Sequence, residues 1–234
     1  MRRRLHAWAK DRPAVGVKRL HTRRRRDGLV INRTQVRRLS REEQLQLQPR
    51  RRRRRASTVR LPRAEVGGPN ERWAMDCRHD VLATGQPVRV VTLVDVSSRE
   101  CVALEVAKSC SGAAGARMLR DAGDRVGGLP PIIPCDHGTE CTSTALDPWA
   151  SWTRGLRDCS RPGKPVDHSV CEAVTGSVRR ECLTRHGFAS RLDAQTARST
   201  WRADSNNLRP HTRLGLQSPA PYRARGDDRP RSLR

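Results

Sequence analysis

The pattern of apolar and polar positions changes character near residue 69. Before it, apolar residues are sparse and helically spaced; after it, they come in short β-branched runs and in stripes every three to four positions. Residues 2 to 11 and 16 to 27 are expected to be helices, the second stopped at Gly28. Asn32 offers an N-cap and Gln35 the third helical position of a capping box, so a third helix is expected from Arg33 to about Gln44. The apolar face of this group is thin. Val17 and Leu20 are followed by Arg23 and Arg24, where helical spacing asks for apolar side chains.

Three strands are expected next: one beginning at Trp73-Ala-Met-Asp76, one over the β-branched run Pro87 to Val96, and one over Cys101 to Val106. The turn at Gly85-Gln86-Pro87 and the short connection Ser97 to Glu100 suggest an antiparallel meander. A helix over Ser111 to Val126, with Ala113, Ala116, Leu119 and Ala122 at helical spacing, is closed by Gly127-Gly128. The apolar run Leu129 to Ile133 reads as a fourth strand leading to Asp136. Helices are then expected from Ser143 to about Thr153, around Glu172 where Val170, Val174 and Val178 recur every four residues, and over 191 to 204. Through the Glu172 helix the order β-β-β-α-β-α-α points to an α/β fold, an RNase H-like mixed sheet flanked by helices, preceded by a small all-α helix-turn-helix segment. The boundaries expected are 1–48 for that segment, 49–68 for an Arg-rich linker, 69–222 for the RNase H-like domain and 223–234 for a disordered tail.

Charge sharpens the picture. Residues 1 to 63 hold 23 Lys and Arg against four Asp and Glu, within a chain of formal net charge +24. A polyanion is the expected partner, and nucleic acid fits better than a membrane surface because the basic stretch has few large apolar residues to insert. No apolar run approaches ~20 residues, and His6, Lys10, Asp11 and Arg12 interrupt what would be the apolar part of a signal peptide. Arg33, Arg37, Arg38 and Arg41 stud the expected third helix as they would a recognition helix. Arg50, Arg51, Arg52, Arg53, Arg54 and Arg55 form an unbroken run that self-repulsion keeps extended and that can neutralise phosphates.

Three carboxylates suggest chemistry on a nucleic-acid backbone. Asp136 follows a strand, Glu172 lies in an amphipathic helix, and Asp76 sits in the first strand. Phosphoryl transfer needs hard cations placed by converging oxygen ligands, and clustered carboxylates repel one another unless a cation holds them. Arg179 is seven residues past Glu172, nearly two helical turns, so a guanidinium suited to phosphate is expected on the same face. The bland reading is that three of 24 acidic residues share a spacing by chance.

These residues carry a resemblance. Arg12-Pro-Ala-Val-Gly-Val-Lys-Arg-Leu-His21, Pro69-Asn-Glu-Arg-Trp-Ala-Met-Asp76, Asp136-His-Gly-Thr-Glu140, Arg161-Pro-Gly-Lys-Pro165, the segment around Glu172, and Asn206 to Gly215 resemble the second-reading-frame (OrfB-type) transposases of the insertion sequence 3 family. That family shares its catalytic core with retroviral integrases. The 35 residues between Asp136 and Glu172 match its spacing, as does a basic residue seven after the glutamate. The resemblance implies a DDE polynucleotidyl transferase that cleaves and joins DNA at the ends of an insertion sequence. Asp76, Asp136 and Glu172 would hold Mg²⁺ or Mn²⁺, as two ions, and Arg179 would contact phosphate. Double-stranded DNA, as terminal inverted repeats and as target, is the implied partner. A homo-multimer on DNA, fusion or partnership with an upstream-frame product, and a bacterial cytoplasmic, nucleoid-associated location are implied with it.

The chain departs from the family's aromatic positions at Val15, Val17, Ser40, Cys77, Cys141, Val170, Val174 and Ser205, and carries Asp136-His137-Gly138 for Asp-Asn-Gly. Two other readings therefore stand beside the first. One is a catalytically inactive transposase remnant that only binds DNA. The other is a zinc protein using Cys135, His137, Cys141, His168 and Cys171. The eight cysteines form no C-x-x-C pair and are expected to be free, mostly buried thiols.

Overall fold

The computed structural model describes residues 2–11, 15–29, 31–45, 67–108, 112–133, 168–183, 188 and 190–227. Asp136, the run Arg50 to Arg55, and the helix expected over 143–153 lie outside them. The chain divides into two units, Met1–Glu65 with Arg209–Gln217, and Val66–Leu208 with Ser218–Arg234.

In the first unit α1 spans Arg2–Asp11, α2 Val17–Arg26 and α3 Arg33–Glu42. Leu5, Leu20, Val36 and Leu39 make a small core, with Trp8, Val15, Val17, Ile31 and Leu45 against it. The thin face anticipated from the sequence is closed by Arg24, whose guanidinium carbon lies 4.0 Å above the Trp8 ring while its tip pairs with Asp27 at 2.9 Å. Gly28, at φ +79°, closes α2 as a Schellman motif: Leu29 N–H reaches the Arg24 carbonyl and Gly28 N–H the Arg25 carbonyl. Asn32 does cap α3, but it accepts from Thr34 N–H at 2.8 Å, the second helical position, not the third as a capping box requires. His6 and Arg2 both reach Glu43, and the hydrogen bond from His6 holds its carboxyl below the usual range.

In the second unit β1 (Trp73–Val81), β2 (Pro87–Asp95) and β3 (Cys101–Ala107) form an antiparallel sheet in the order β1-β2-β3. Ile132 pairs in parallel with Arg72, and Trp73 N–H donates to the Ile132 carbonyl at 3.1 Å. The approach to Asp136 thus begins alongside the start of β1. Strand alternation gives the sheet two covered faces. On one, Trp73, Met75, Val91 and Leu93 pack with Met118, Leu119 and Ala122 of α4 (Gly112–Val126). On the other, Ala74 and Val94 meet Val170 and Cys171 of α5 (His168–Val178), while Val90, Leu104 and Val106 meet Val178, Cys182 and Ala194. A π turn, Arg179–Leu183, continues α5, and Ala194 belongs to α6 (Arg191–Asn207). Ser190 and Asp193 form a reciprocal capping box at the start of α6.

α6 also seals the outer edge of β3. The Asn206 amide accepts from Cys101 N–H and donates to the Cys101 carbonyl, and Arg202 donates to the Val102 carbonyl at 2.9 Å. Asp95, 1% exposed, accepts from Asn70 N–H and from both the N–H and hydroxyl of Ser98, which pins the turn after β2. The sequence suggested a disordered tail from 223, yet helix α7 runs Pro219–Asp227. The reason is Arg223: it pairs with Glu100 at 3.1 Å and donates to the Val126 carbonyl at 2.8 Å, with both charged partners largely buried. Of the positions that depart from the family the sequence resembles, Ser40, Val170 and Ser205 are buried.

Candidate active site

Asp76 lies on the face of β1 that α5 covers, opposite Thr92 of β2 and two residues beyond the buried Ala74. The helix covers Ala74 but leaves the next position of that face at the rim, so the Asp76 side chain keeps 13% of its exposure. On α5, Val170 and Cys171 face the sheet, and the Cys171 thiol donates to the carbonyls of Ala74 and Thr92 at 3.5 and 3.4 Å. A helix turns about 100° per residue, so seating Cys171 inward sends Glu172 toward the open edge of the same face. Its side chain is 58% exposed.

Arg78 joins the two carboxylates. Residues 76 and 78 share a face because side chains alternate along a strand. Arg78 Nε donates to Asp76 Oδ2 at 3.1 Å and Nη2 to Glu172 Oε1 at 3.3 Å. Its hydrogen bond to Asp76, ahead of that carboxylate's charge and of Glu172, raises the guanidinium's pKa above its already high value. The structure thus brings Asp76 and Glu172 around one cation, 94 residues apart in sequence from Arg78 to Glu172. Sequence reasoning missed Arg78; its position two residues past a strand carboxylate was the available signal.

The oxygen pair suits a hard divalent cation better than zinc, since both donors are carboxylates and both already face a positive charge. Among the described residues no group of three His, Cys, Asp or Glu side chains is placed to hold a metal ion. Asp136, the third expected carboxylate, lies outside those residues, as do Cys135, His137 and Cys141. Cys171, the remaining thiol of the zinc reading, is buried; desolvation first, then the charge of Asp76, pushes it well above its ordinary pKa. Cys77, Cys101, Cys171 and Cys182 are all free thiols.

Arg179 is exposed and opens the π turn, so the simple two-turn spacing from Glu172 holds only up to that residue. In the first unit, Arg33, Arg37 and Arg41 form an exposed stripe along α3, beside the buried Val36, Leu39 and Ser40. Arg38, also exposed, pairs with Glu42 at 3.4 Å. An open cavity of about 490 Å³ beside this stripe is lined by Lys18, His21, Arg25, Arg26 and Arg33 among others. Its cationic walls suit phosphate.

Comparison with known proteins bears on the family and the fold. Residues 67–165 and 157–219 each match a model described as an integrase core domain. The chain is 35% identical over 222 residues to a 31.7 kDa uncharacterized protein of insertion element IS407 from Burkholderia multivorans, covering 95% of this chain and 80% of that one. It is 32% identical to a 39.2 kDa uncharacterized protein of insertion element IS476 from Xanthomonas euvesicatoria, covering 94% of this chain and 64% of the relative. Among solved structures, the simian T-cell lymphotropic virus intasome in complex with the PP2A regulatory subunit B56 gamma matches over 100% of this chain and 77% of its own, with TM-score 0.59 and 16% identity. The HTLV-2 integrase catalytic core domain in complex with magnesium matches 64% of this chain and 94% of its own, with TM-score 0.50 and 17% identity. Both likenesses bear on the fold, which is RNase H-like.

Proposed function

The chain belongs to the insertion sequence 3 family of transposases, in the second-reading-frame class with an integrase-like core, and from that premise we propose that Asp76, Asp136 and Glu172 are its metal-holding triad. Transposases of this kind are polynucleotidyl transferases, so the reaction is an attack by a water or DNA 3′-hydroxyl oxygen on a phosphodiester, with departure of the opposite oxygen.

The observation that carries the triad is the parallel pairing of Arg72 with Ile132. Asp76 follows Arg72 by four residues and Asp136 follows Ile132 by four. An equal advance along two parallel neighbours would carry both carboxylates to one level. Glu172 would close the set from α5, where the Arg78 bridge already draws it to Asp76.

Bound Mg²⁺ or Mn²⁺, as two ions, would supply Lewis acidity at the attacking and leaving oxygens. The chain's own residues would do the rest. The β1–β2 ladder would position the backbone at Asp76, and the Val170, Cys171 and Val178 packing the backbone at Glu172, before metal binds. Arg179 would contact a phosphate. Arg33 and Arg37 of α3, with Arg38 and the run Arg50 to Arg55, would hold the duplex by its backbone and position the terminal repeat. Target DNA, a multimer joining two ends, and association with an upstream-frame product complete the reading. Among the described residues no helix is long and apolar enough to cross a membrane, and we assign the protein to the bacterial cytoplasm.

The test is end joining. Purified protein should join an oligonucleotide carrying the terminal repeat to a target with Mg²⁺ or Mn²⁺ but not Ca²⁺. Asp136→Asn should abolish joining and leave DNA retention intact. Equal joining by that variant would remove Asp136 from the triad.

A further inference from the structure

Among the described residues of the site the least expected group is a cation, Arg78. Arg78 presents two different nitrogens of one planar fork to two carboxylates on two elements, 3.1 Å to Asp76 on β1 and 3.3 Å to Glu172 on α5. A divalent cation held by the same oxygens would compete with this guanidinium. A guanidinium is suited to such bridging because its donors diverge in a fixed plane; an ammonium, a compact point charge, spans two acceptors less well.

Exposure decides whether the bridge is permanent. Arg78 is 52% exposed and Glu172 58%, against 13% for Asp76. Ion pairs open to water contribute little and exchange readily, so a cation of higher charge and smaller radius can take the oxygens while Arg78 swings outward. Without Arg78 the two carboxylates would repel one another until a metal ion relieved that repulsion, so loss of the guanidinium favours metal.

We propose that Arg78 is an internal counter-ion of the active-site carboxylates: it holds Asp76 and Glu172 together before metal arrives, and metal enters by displacing its guanidinium. The proposal rests on the reading of these carboxylates as metal ligands. It adds that the loading threshold of the site is set by a residue that is not a ligand.

The test is titration of the full chain with Mn²⁺ alone, following free ion by electron paramagnetic resonance, without DNA. Arg78→Leu should bind Mn²⁺ a few-fold to about tenfold tighter than wild type, the range that two exposed ion pairs can withhold. Its thermal unfolding temperature should rise more on adding Mn²⁺ than that of wild type. Arg78→Lys, which keeps the charge but cannot span both oxygens equally, should fall between the two and serves as the test should the leucine variant fail to fold. Mn²⁺ binding by both variants no tighter than wild type, including absence of binding in all three, overturns the displacement. The double variant Arg78→Leu/Asp76→Asn separates the two ideas. If it loses the added affinity, Asp76 is a ligand whatever Arg78 does; if it keeps it, the carboxylate reading itself fails, and the displacement with it.

Discussion

In the amino-terminal unit the arginines of α3 face outward as a stripe at Arg33, Arg37 and Arg41, whereas in the sheet unit Arg198, Arg202 and Arg223 turn toward carboxylates and backbone carbonyls. Composition explains the contrast. The first 63 residues have four acidic side chains for 23 basic ones, so basic side chains far outnumber the acidic ones of that stretch; the remainder holds 25 basic against 20 acidic residues. On the proposed reading the exposed arginines of α3 meet a polyanion, whereas those named in the sheet unit hold the fold. Arg78 stands between these roles, paired within the protein but half exposed.

The largest break in this comparison should come from the sheet unit's buried charge. Asp95→Ala strands the Asn70 N–H and the N–H and hydroxyl of Ser98, and should cost about 3–5 kcal/mol in urea unfolding followed by circular dichroism. A loss under about 1 kcal/mol would mean that water replaces those bonds freely. Next in size, replacing Arg33, Arg37 and Arg41 together by Ala should lower the salt slope of DNA binding by about three, close to one per phosphate contact, with little change in stability. An unchanged slope in filter binding would show that the stripe does not face DNA.

Smaller effects sharpen the contrast in backbone and thiol chemistry. α3 is closed by Gln44, two residues past its end, at φ +54°, where Leu45 N–H meets the Ser40 carbonyl; Gln44→Gly should stabilise the unit by about 1 kcal/mol because glycine takes that conformation without Cβ strain. In the sheet unit burial pushes the Cys101 thiol up to about 12 and Cys171 well up. Both hold their protons in the folded state at pH values where the unfolded chain has lost them. Stability should therefore decline as pH rises from about 9 toward 12, and a thiol reagent at pH 8 should leave these two unlabelled until unfolding. Rapid labelling of both in the native protein would contradict their burial.

Much of the fold was legible because periodicity carries it. The β-branched runs gave β2 and β3 nearly to their ends, and Val170 and Val178 did bury one face of α5. Helix α7 was not legible, since Pro219-Ala-Pro221 reads as a breaker; Pro at a first helical position was the better reading, and the anchoring by Glu100 and the Val126 carbonyl is invisible without tertiary structure. The same limit hid the structural role of Asp95, which looks no different in sequence from Asp76. Their environments separate them: Asp95 spends its lone pairs on the turn after β2, while Asp76 meets a half-exposed guanidinium at an open rim. Asp76 and Glu172 were legible as candidates; the cation between them was marked only by its place two residues past Asp76 on one strand, a spacing too common to single it out.

The division of labour between the two units is tested most directly by Glu172→Gln, assayed for end joining and for DNA retention in one preparation with Mg²⁺. Joining should fall on the order of 10³-fold while retention and its salt dependence stay at wild-type values. Joining at the wild-type rate, or joining and retention lost together, would contradict it.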